Sequence, residues 1–157
     1  MKIYTLETQV TLNASVKEAW EFFSDPGNLS TITPASMGFE ITQQDGKSMY
    51  PGMMIGYRLR PFGGIPIGWV TEITHVREPY FFVDEQRFGP YRLWHHKHFF
   101  EETESGLHCR DLVHYALPGG LAGRALHPFL IRPRLEQIFS FRRMVLLKIF
   151  RGPEVED

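Results

Sequence analysis

A series of strand-like runs joined by short turns fills the middle of this chain and constrains its fold more than any other feature. The runs cover 37–42, 54–60, 67–77, 80–88, 91–102 and 107–117. The breaks between them contain turn-forming residues: Asp45-Gly46, Pro51-Gly52, Phe62-Gly63-Gly64, Glu78-Pro79, Gly89-Pro90 and Ser105-Gly106. Connections this short join antiparallel neighbours, since a parallel pair needs a long crossover. The sequence therefore predicts an antiparallel sheet.

A further strand and one or two short helices precede this block. Residues 3–12 alternate like a strand, and the spacing then becomes helical. Ser15 and Glu18 form a capping-box pattern, in which the hydroxyl and the carboxylate each accept a hydrogen bond from an exposed backbone N–H. Asp25-Pro26-Gly27 ends this helix, and 28–34 predicts one more short helix. With the added strand, the predicted sheet has about six to seven strands.

Helical spacing returns after Gly119-Gly120 and continues to about Phe150. Pro133 lies near the front of this segment, and it predicts a kink or the start of a new helix because an interior proline loses a hydrogen bond. One face is predicted to pack on the sheet, and it carries Leu135, Ile138, Phe139, Arg142, Val145, Leu146 and Ile149. The fold class is thus α+β, with either a cavity between a curved sheet and this helix or flat packing without one.

The composition is that of an ordinary globular protein and excludes several classes of function. The 157 residues, 43% hydrophobic and 22% charged, predict one domain over 1–151 and a frayed tail at 152–157. A net charge of −1 gives no general attraction to nucleic acid, and no run approaches the roughly 20 apolar residues of a membrane span. A single cysteine, Cys109, rules out an internal disulfide, and no signal-peptide pattern is present. A cytoplasmic location is predicted.

Four segments together resemble the START-like helix-grip superfamily, also called SRPBCC. They are FFVDEQRFGPYRLWHHKHFFEE, WVTEITHVREPYFF, CRDLVHYALPGG and FSDPGNLSTITP, and the resemblance, to a bacterial ligand-binding branch, covers about 2–150. The resemblance implies a curved sheet wrapped around the long final helix, with a hydrophobic cavity between them. It implies no particular reaction, because this superfamily hosts transfer proteins, receptors and cyclases on one scaffold.

The run 91–102 carries an unusual mixture of side chains on a single face. That face presents Trp94, His96, His98 and Phe100. A plain core strand would carry Val, Ile and Leu there, and the spacing of about 6–7 Å between alternate side chains suits an extended ligand. The preceding strand brings either Asp84 or Glu85 to this face, depending on the hairpin register, since a slip of one residue exchanges the two faces.

Asp111 and Tyr115 extend this polar group on the next strand. Asp111 is a charged residue in an otherwise apolar row, and a buried carboxylate needs a partner such as Arg or His. Three interpretations stay open: these groups tie the sheet together, anchor a ligand, or carry out general acid–base chemistry. In the last, a histidine moves the proton, a carboxylate orients it and Tyr115 donates to a carbonyl. The catalytic candidates are His96, His98, Asp111 and Tyr115.

The spacing His96-x-His98 can also present two nitrogens on one strand face, with Asp111 as a third metal ligand. Strand alternation alone often produces this spacing, so it is not diagnostic. We therefore predict no metal and no cofactor.

The final helix is rich in basic residues: Arg132, Arg134, Arg142, Arg143, Lys148 and Arg151. Such charges are usually the solvated face of a helix whose other side is buried, so contact with a membrane is the less favoured interpretation. Nucleic-acid binding is not predicted, because no basic strand interleaved with aromatic residues accompanies the helix.

The favoured function is reversible binding of a small hydrophobic or amphipathic molecule such as a lipid, polyketide or isoprenoid. The predicted ligand-binding residues are Trp94, His96, His98, Phe100, Asp111, Tyr115, Trp69 and Tyr57. The alternatives are a cyclase, dehydratase or isomerase, and a protein-interaction module with a closed core. The lack of a nucleophile elbow or a Rossmann glycine pattern favours a binding protein over an enzyme. The sequence does not determine the oligomeric state.

Overall fold

The computed structural model describes residues 1–61 and 64–151; the predicted turn at Phe62-Gly63-Gly64 lies largely outside these residues, and the predicted tail at 152–157 lies wholly outside them. The strands are β1 (Tyr4–Leu12), β2 (Glu40–Gln44), β3 (Met54–Leu59), β4 (Ile67–Arg77), β5 (Phe81–Phe88), β6 (Leu93–Thr103) and β7 (Gly106–Ala116). The helices are α1 (Val16–Phe23), two short 3₁₀ helices at Pro26–Ser30 and Ala35–Met37, α2 (Gly120–Leu126) and α3 (Arg132–Ile149). The predicted order of elements is confirmed.

The seven strands form one antiparallel sheet in the order β1-β7-β6-β5-β4-β3-β2. Each strand from β2 to β7 pairs with its neighbour along the chain, as the short turns predict, whereas β1 pairs with β7. Register shifts interrupt the β2–β3 and β4–β5 ladders, and such bulges bend and twist the strands that contain them. The predicted α+β architecture, a curved sheet with a long final helix, is confirmed.

The first helix is capped as its sequence predicts. The backbone N–H of Glu18 donates to the Ser15 hydroxyl at 3.2 Å, and the Ser15 N–H donates to the Glu18 carboxylate at 2.8 Å. α1 buries Trp20, whose ring meets Phe82 and Phe100 edge-on. This contact joins α1 to the core on the inner face of the sheet.

A π-helical turn at His127–Ile131 separates α2 from α3. Pro133 falls in the first turn of α3, directly after the π-helical turn, in which the Arg132 N–H donates to the His127 carbonyl. Ile131 and Arg132 both keep right-handed helical dihedrals, so the helical backbone continues from this turn into α3 without a break. The buried face is shorter than predicted, because Ile149 is exposed and Phe150 packs on Phe22 instead.

Two apolar clusters fill much of the space between the sheet and α3. The first includes Trp20, Phe82, Phe100, Leu107 and Leu146, and the second includes Trp69, Trp94, Tyr115, Leu135 and Phe139. Phe139 precedes Leu146 by two turns, so the clusters follow one another along α3. Two histidines lie between them: His98 stacks on Phe82 at 4.0 Å between ring centroids, and His96 meets Phe139 at 5.6 Å.

Candidate functional site

A cavity of about 440 Å³ lies between the inner face of the sheet and α3. Its wall is mostly apolar with a few polar groups, which is typical of small-molecule sites. Five of the side chains predicted to bind a ligand line it: Tyr57, Trp69, Trp94, His96 and His98. The wall opposite them is formed by α3, which contributes Arg134, Leu135, Ile138, Phe139 and Arg142.

The other three predicted ligand-binding residues, Phe100, Asp111 and Tyr115, do not line the cavity. Phe100 is surrounded by rings of the core, with Phe23 at 5.0 Å and Phe82 at 6.1 Å between centroids. Asp111 contacts the two cavity histidines but does not itself reach the wall. Strand alternation predicts the inward face, but packing against α1 fills one end of that face.

Tyr115 is tied to the π-helical turn. Its hydroxyl is hydrogen-bonded to Nε2 of His127 at 2.8 Å, and Tyr4 stacks on the His127 ring at 3.6 Å between centroids. Burial, together with the positive charges of Arg132 and Lys2, lowers the pKa of His127 and keeps its ring neutral. The neutral ring can accept the hydroxyl proton, so this hydrogen bond links β7 to the final helical segment.

Replacing Tyr115 with Phe is expected to lower the free energy of unfolding by about 1 kcal/mol, because it removes one buried hydrogen bond. Ligand affinity should not change. Urea denaturation measures the effect, and Tyr80→Phe, at an exposed tyrosine, is the control. A loss of affinity at unchanged stability would contradict this assignment.

Four ionisable side chains form a closed ring beside the cavity: Asp84, His96, His98 and Asp111. Asp84 Oδ2 lies 3.2 Å from His96 Nδ1 and 3.0 Å from His98 Nε2. Asp111 Oδ1 lies 3.1 Å from His96 Nε2 and 2.8 Å from His98 Nδ1. Both imidazoles, whose side chains are 5% and 7% exposed, are therefore held between the same two carboxylates.

The register of the β5–β6 hairpin determines which acidic residue of β5 joins this ring. Asp84 pairs with His96 across the ladder, so Glu85 lies on the outer face. Gln86 supports this register, because its amide donates to the Tyr91 carbonyl at 2.6 Å and accepts from the Tyr91 N–H at 3.2 Å. The alternative left open by the sequence is thus resolved in favour of Asp84.

Charge pairing within the ring shifts the pKa values of its members. Burial acts to raise the pKa of Asp84, but His96 and His98 outweigh it and hold that pKa well below its usual range. The same balance holds the pKa of Asp111 low. Burial acts to lower the pKa of His96, but the two carboxylates outweigh it and raise that pKa. Both carboxylates are therefore ionised at neutral pH, and their charge favours the imidazolium form of His96.

The ring also contains a set of groups that could hold a metal ion. Asp84, His96 and His98 each offer one ligand atom, and these atoms lie within 4.8 Å of one another. His98 Nδ1 is 2.8 Å from Asp111 Oδ1 but off the direction needed for a hydrogen bond, so the two atoms are in close contact without one. A cation would have to displace the protons that the imidazoles share with the carboxylates. That there is no metal or cofactor stays a prediction.

A hydroxyl network satisfies the polar atoms on the β3–β4 side of the cavity. The Thr71 hydroxyl accepts from Trp69 Nε1 at 3.0 Å and lies 2.8 Å from the Tyr57 hydroxyl. Burial, with the negative charge of Asp84, raises the pKa of Tyr57 far above its usual value. This tyrosine is therefore neutral, and its predicted contact with a ligand stays a prediction.

Two arginines of α3, Arg134 and Arg142, line the cavity. Arg142 lies on the face predicted to pack on the sheet, whereas Arg134 is an exception to the usual interpretation of such charges as a solvated face. Arg142 is 8% exposed, its guanidinium lies 5.0 Å from the centre of the Phe139 ring, and its Nε has no acceptor. Arg134 donates to Gln137 at 2.7 Å, and its Nε is also buried without an acceptor. The sequence does indicate the buried position of Arg142, because this residue follows Phe139 by three positions on the predicted buried face of the helix.

Other basic residues of α3 do face outward. Arg132 pairs with Glu136 at 2.8 Å, and both Arg143 and Lys148 are exposed. Across residues 1–61 and 64–151, no helix combines the length and the apolar character that crossing a membrane requires. The cytoplasmic location and the absence of membrane contact stay predictions.

Comparison with known proteins identifies the fold. No family model and no curated protein matches the chain. Among solved structures, protein CV1439 from Chromobacterium violaceum matches with a TM-score of 0.73 at 12% identity, over 96% of this chain and 99% of that one. Ginseng major latex-like protein 151 from Panax ginseng matches with a TM-score of 0.70 at 11% identity, over the same shares. The di-domain ARO/CYC protein BexL from the BE-7585A biosynthetic pathway matches with a TM-score of 0.70 at 15% identity, over 96% of this chain and 51% of that one.

These matches extend over almost the whole chain, so they include the sheet, α1 and α3 together. At such low identity they establish architecture and leave activity open. The chain therefore shares the fold of these proteins, a curved antiparallel sheet with a long C-terminal helix, which is the helix-grip architecture that its sequence motifs predict.

Proposed function

We propose that this chain reversibly binds a small hydrophobic or amphipathic molecule, such as a lipid, polyketide or isoprenoid, for storage, transport or sensing. The observation that carries the proposal is the cavity between the sheet and α3, about 440 Å³ in volume and walled by aromatic rings such as Trp69 and Trp94. Sites for small molecules typically have volumes of about 300–1,000 Å³.

Apolar burial would supply most of the affinity. Removing apolar surface from water contributes about 25 cal/mol per Å², before the costs of association are subtracted. The hydroxyl network at Thr71 is internally satisfied, so that side of the wall requires no polar group of the ligand. His96 and Arg142 are the polar groups best placed to set its orientation.

Replacing Ile138 with Trp is expected to weaken binding of an apolar probe by about 10-fold or more, equivalent to about 1.4 kcal/mol. Ile138 lines the cavity, and a larger ring at this position would occupy the space of the ligand. The probe is 1-aminoanthracene, followed by its own fluorescence and by energy transfer from the tryptophans.

Met144→Trp is the matched control, because Met144 is exposed on the same helix. We expect it to bind the probe as the wild type does. Failure of the wild type to bind this probe or a lipid and polyketide panel, or equal loss in both variants, would count against the cavity as the binding site.

A cyclase, dehydratase or isomerase is the second candidate, and the charged ring favours it. An imidazolium at His96, held by Asp84 and Asp111 on the cavity wall, could act as a general acid. One structural neighbour, BexL, is an ARO/CYC protein. The enzyme candidate requires that His96→Gln abolish turnover of a polyketide substrate while leaving probe affinity within a few-fold. A module with a closed core draws no support from a cavity of this size.

A further inference from the structure

We propose that the ligand of this cavity carries a carboxylate, or a like anionic group, that pairs with Arg142. The inference rests on the proposed binding function and specifies the chemical class of the ligand. The ligand would be an amphipathic acid, with an apolar body and one anionic group. A carboxylate suits this position because a guanidinium can bind it through two parallel N–H···O hydrogen bonds.

Arg142 is a buried charge for which the described part of the chain supplies no partner. The residue is only 8% exposed, and its Nε has no acceptor among the described residues. Within residues 1–61 and 64–151, no carboxylate oxygen lies within 4.0 Å of its guanidinium. The nearby Phe139 ring, 5.0 Å away, offers a π face and no oxygen. Because buried charges in proteins are almost always paired, we infer that the missing anion comes from outside the chain.

The acidic groups beside the cavity already have partners, since Asp25 accepts from the Gly27 N–H and the two others belong to the ring of Asp84, His96, His98 and Asp111. Asp84 is shared by His96 and His98, and Asp111 is shared by the same two imidazoles. Each carboxylate thus contacts two imidazoles, and neither lies within 4.0 Å of the Arg142 guanidinium.

The position of Arg142 also fits an elongated ligand. It lies at one end of the cavity-lining part of α3, about 10 Å along the helix axis from Leu135. Ile138 and Phe139 form the apolar wall between them. Arg134, at the other end, already donates to a glutamine, so it is the weaker anion site.

The test uses two pairs of probes that differ in charge but not in size. Dodecanoate is compared with 1-dodecanol, and 9-anthracenecarboxylate with 9-anthracenemethanol, by displacement of 1-aminoanthracene at pH 7. We expect the wild type to bind at least one acid about 10-fold or more tightly than its matched alcohol. Arg142→Met should bring the affinities for the acid and its matched alcohol to within a few-fold of each other, whereas Arg142→Lys should keep part of the preference. Arg143→Met, at the exposed neighbouring residue, should retain it fully.

A second readout separates a ligand-binding role from a structural one. Without ligand, Arg142→Met is expected to melt at a higher temperature than the wild type, because an apolar chain replaces an unpaired buried charge. A lower melting temperature would overturn the inference, and so would an acid preference that is absent from the wild type or that survives in Arg142→Met. If 1-aminoanthracene binds without any acid preference, the inference fails and the proposed function stands. If no probe binds, the proposed function fails as well.

Discussion

Replacing Asp111 with Asn is expected to lower the free energy of unfolding by about 3 kcal/mol at pH 6. The Asp111 carboxylate lies 3.1 Å from His96 Nε2 and 2.8 Å from His98 Nδ1, and an asparagine would leave both imidazoles to share Asp84. Removing one partner of a buried ion pair costs about 3–5 kcal/mol, and deprotonation of an imidazole moderates that cost. Urea denaturation followed by circular dichroism measures the difference.

The size of this effect should depend on pH in a defined way. The pKa of Asp111 is lowered by folding, so its contribution is present above its ordinary value of 3.8 and is lost as the pH falls through the folded-state value. The pKa of His96 is raised by folding, so its contribution is complete below its ordinary value of 6.5 and is lost as the pH rises through the raised value. The difference between wild type and variant should therefore be greatest between about pH 4 and 6.5.

Arg110→Gln is the matched control for Asp111→Asn. Arg110 is the neighbouring residue on β7, and its pair with Glu7 at 3.3 Å lies on the exposed face of the sheet. Exposed pairs contribute little, so we expect almost no change in stability. A difference for Asp111→Asn that stays constant from pH 4 to pH 9 would show that the ring is not held by charge.

Replacing Phe100 with Ala is expected to lower the free energy of unfolding by about 3–5 kcal/mol without changing probe affinity. The Phe100 ring is buried among Trp20, Phe23 and Phe82, and its removal would leave a cavity in the core. The sequence predicts a ligand-binding role for Phe100, whereas its contacts assign it to the core. Loss of stability alone would support the core assignment, and loss of probe affinity alone would support the ligand-binding role. Thermal or urea denaturation and a 1-aminoanthracene titration provide the two measurements.

Phe99→Ala is the control on the opposite face of the same strand. The Phe99 ring packs on Phe81 at 5.0 Å between centroids, and the Arg110 guanidinium carbon lies 4.2 Å from the Phe99 centroid. Phe99 is only partly buried. Its replacement should cost about 1 kcal/mol, the ordinary size for a point substitution. If Phe100→Ala has normal stability but no longer binds the probe, Phe100 belongs to the ligand site and the core assignment is wrong.

Much of the fold could be predicted because periodicity and turn chemistry are local properties of the sequence. The strand predicted over 67–77 is observed as Ile67–Arg77. The run at 37–42 was less well predicted, because a 3₁₀ helix at Ala35–Met37 takes its first residue and the strand begins only at Glu40. Alternation alone does not mark such a boundary.

The site was less predictable because it depends on contacts between distant residues. Alternation places His96 on the inner face, but it does not give the register that brings Asp84 there in place of Glu85. That register is supported by the Gln86 side chain, which bonds to backbone across the turn. In the same way, helical spacing places Arg142 on the buried face but does not reveal that its Nε lacks an acceptor in the described part of the chain.

The pairing of β1 with β7 has a consequence for how the chain is made. Paired residues such as Leu12 and Leu107 are about 100 positions apart, so β1 leaves the ribosome long before its partner exists. At about 5–20 residues per second, the wait is on the order of 10 s. Throughout this time the apolar side chains of Leu6 and Val10, and the unpaired backbone groups of the strand, are open to other chains. The risk of aggregation through β1 is thus greatest during translation. A chaperone that covers β1 would shorten the time for which this strand is exposed.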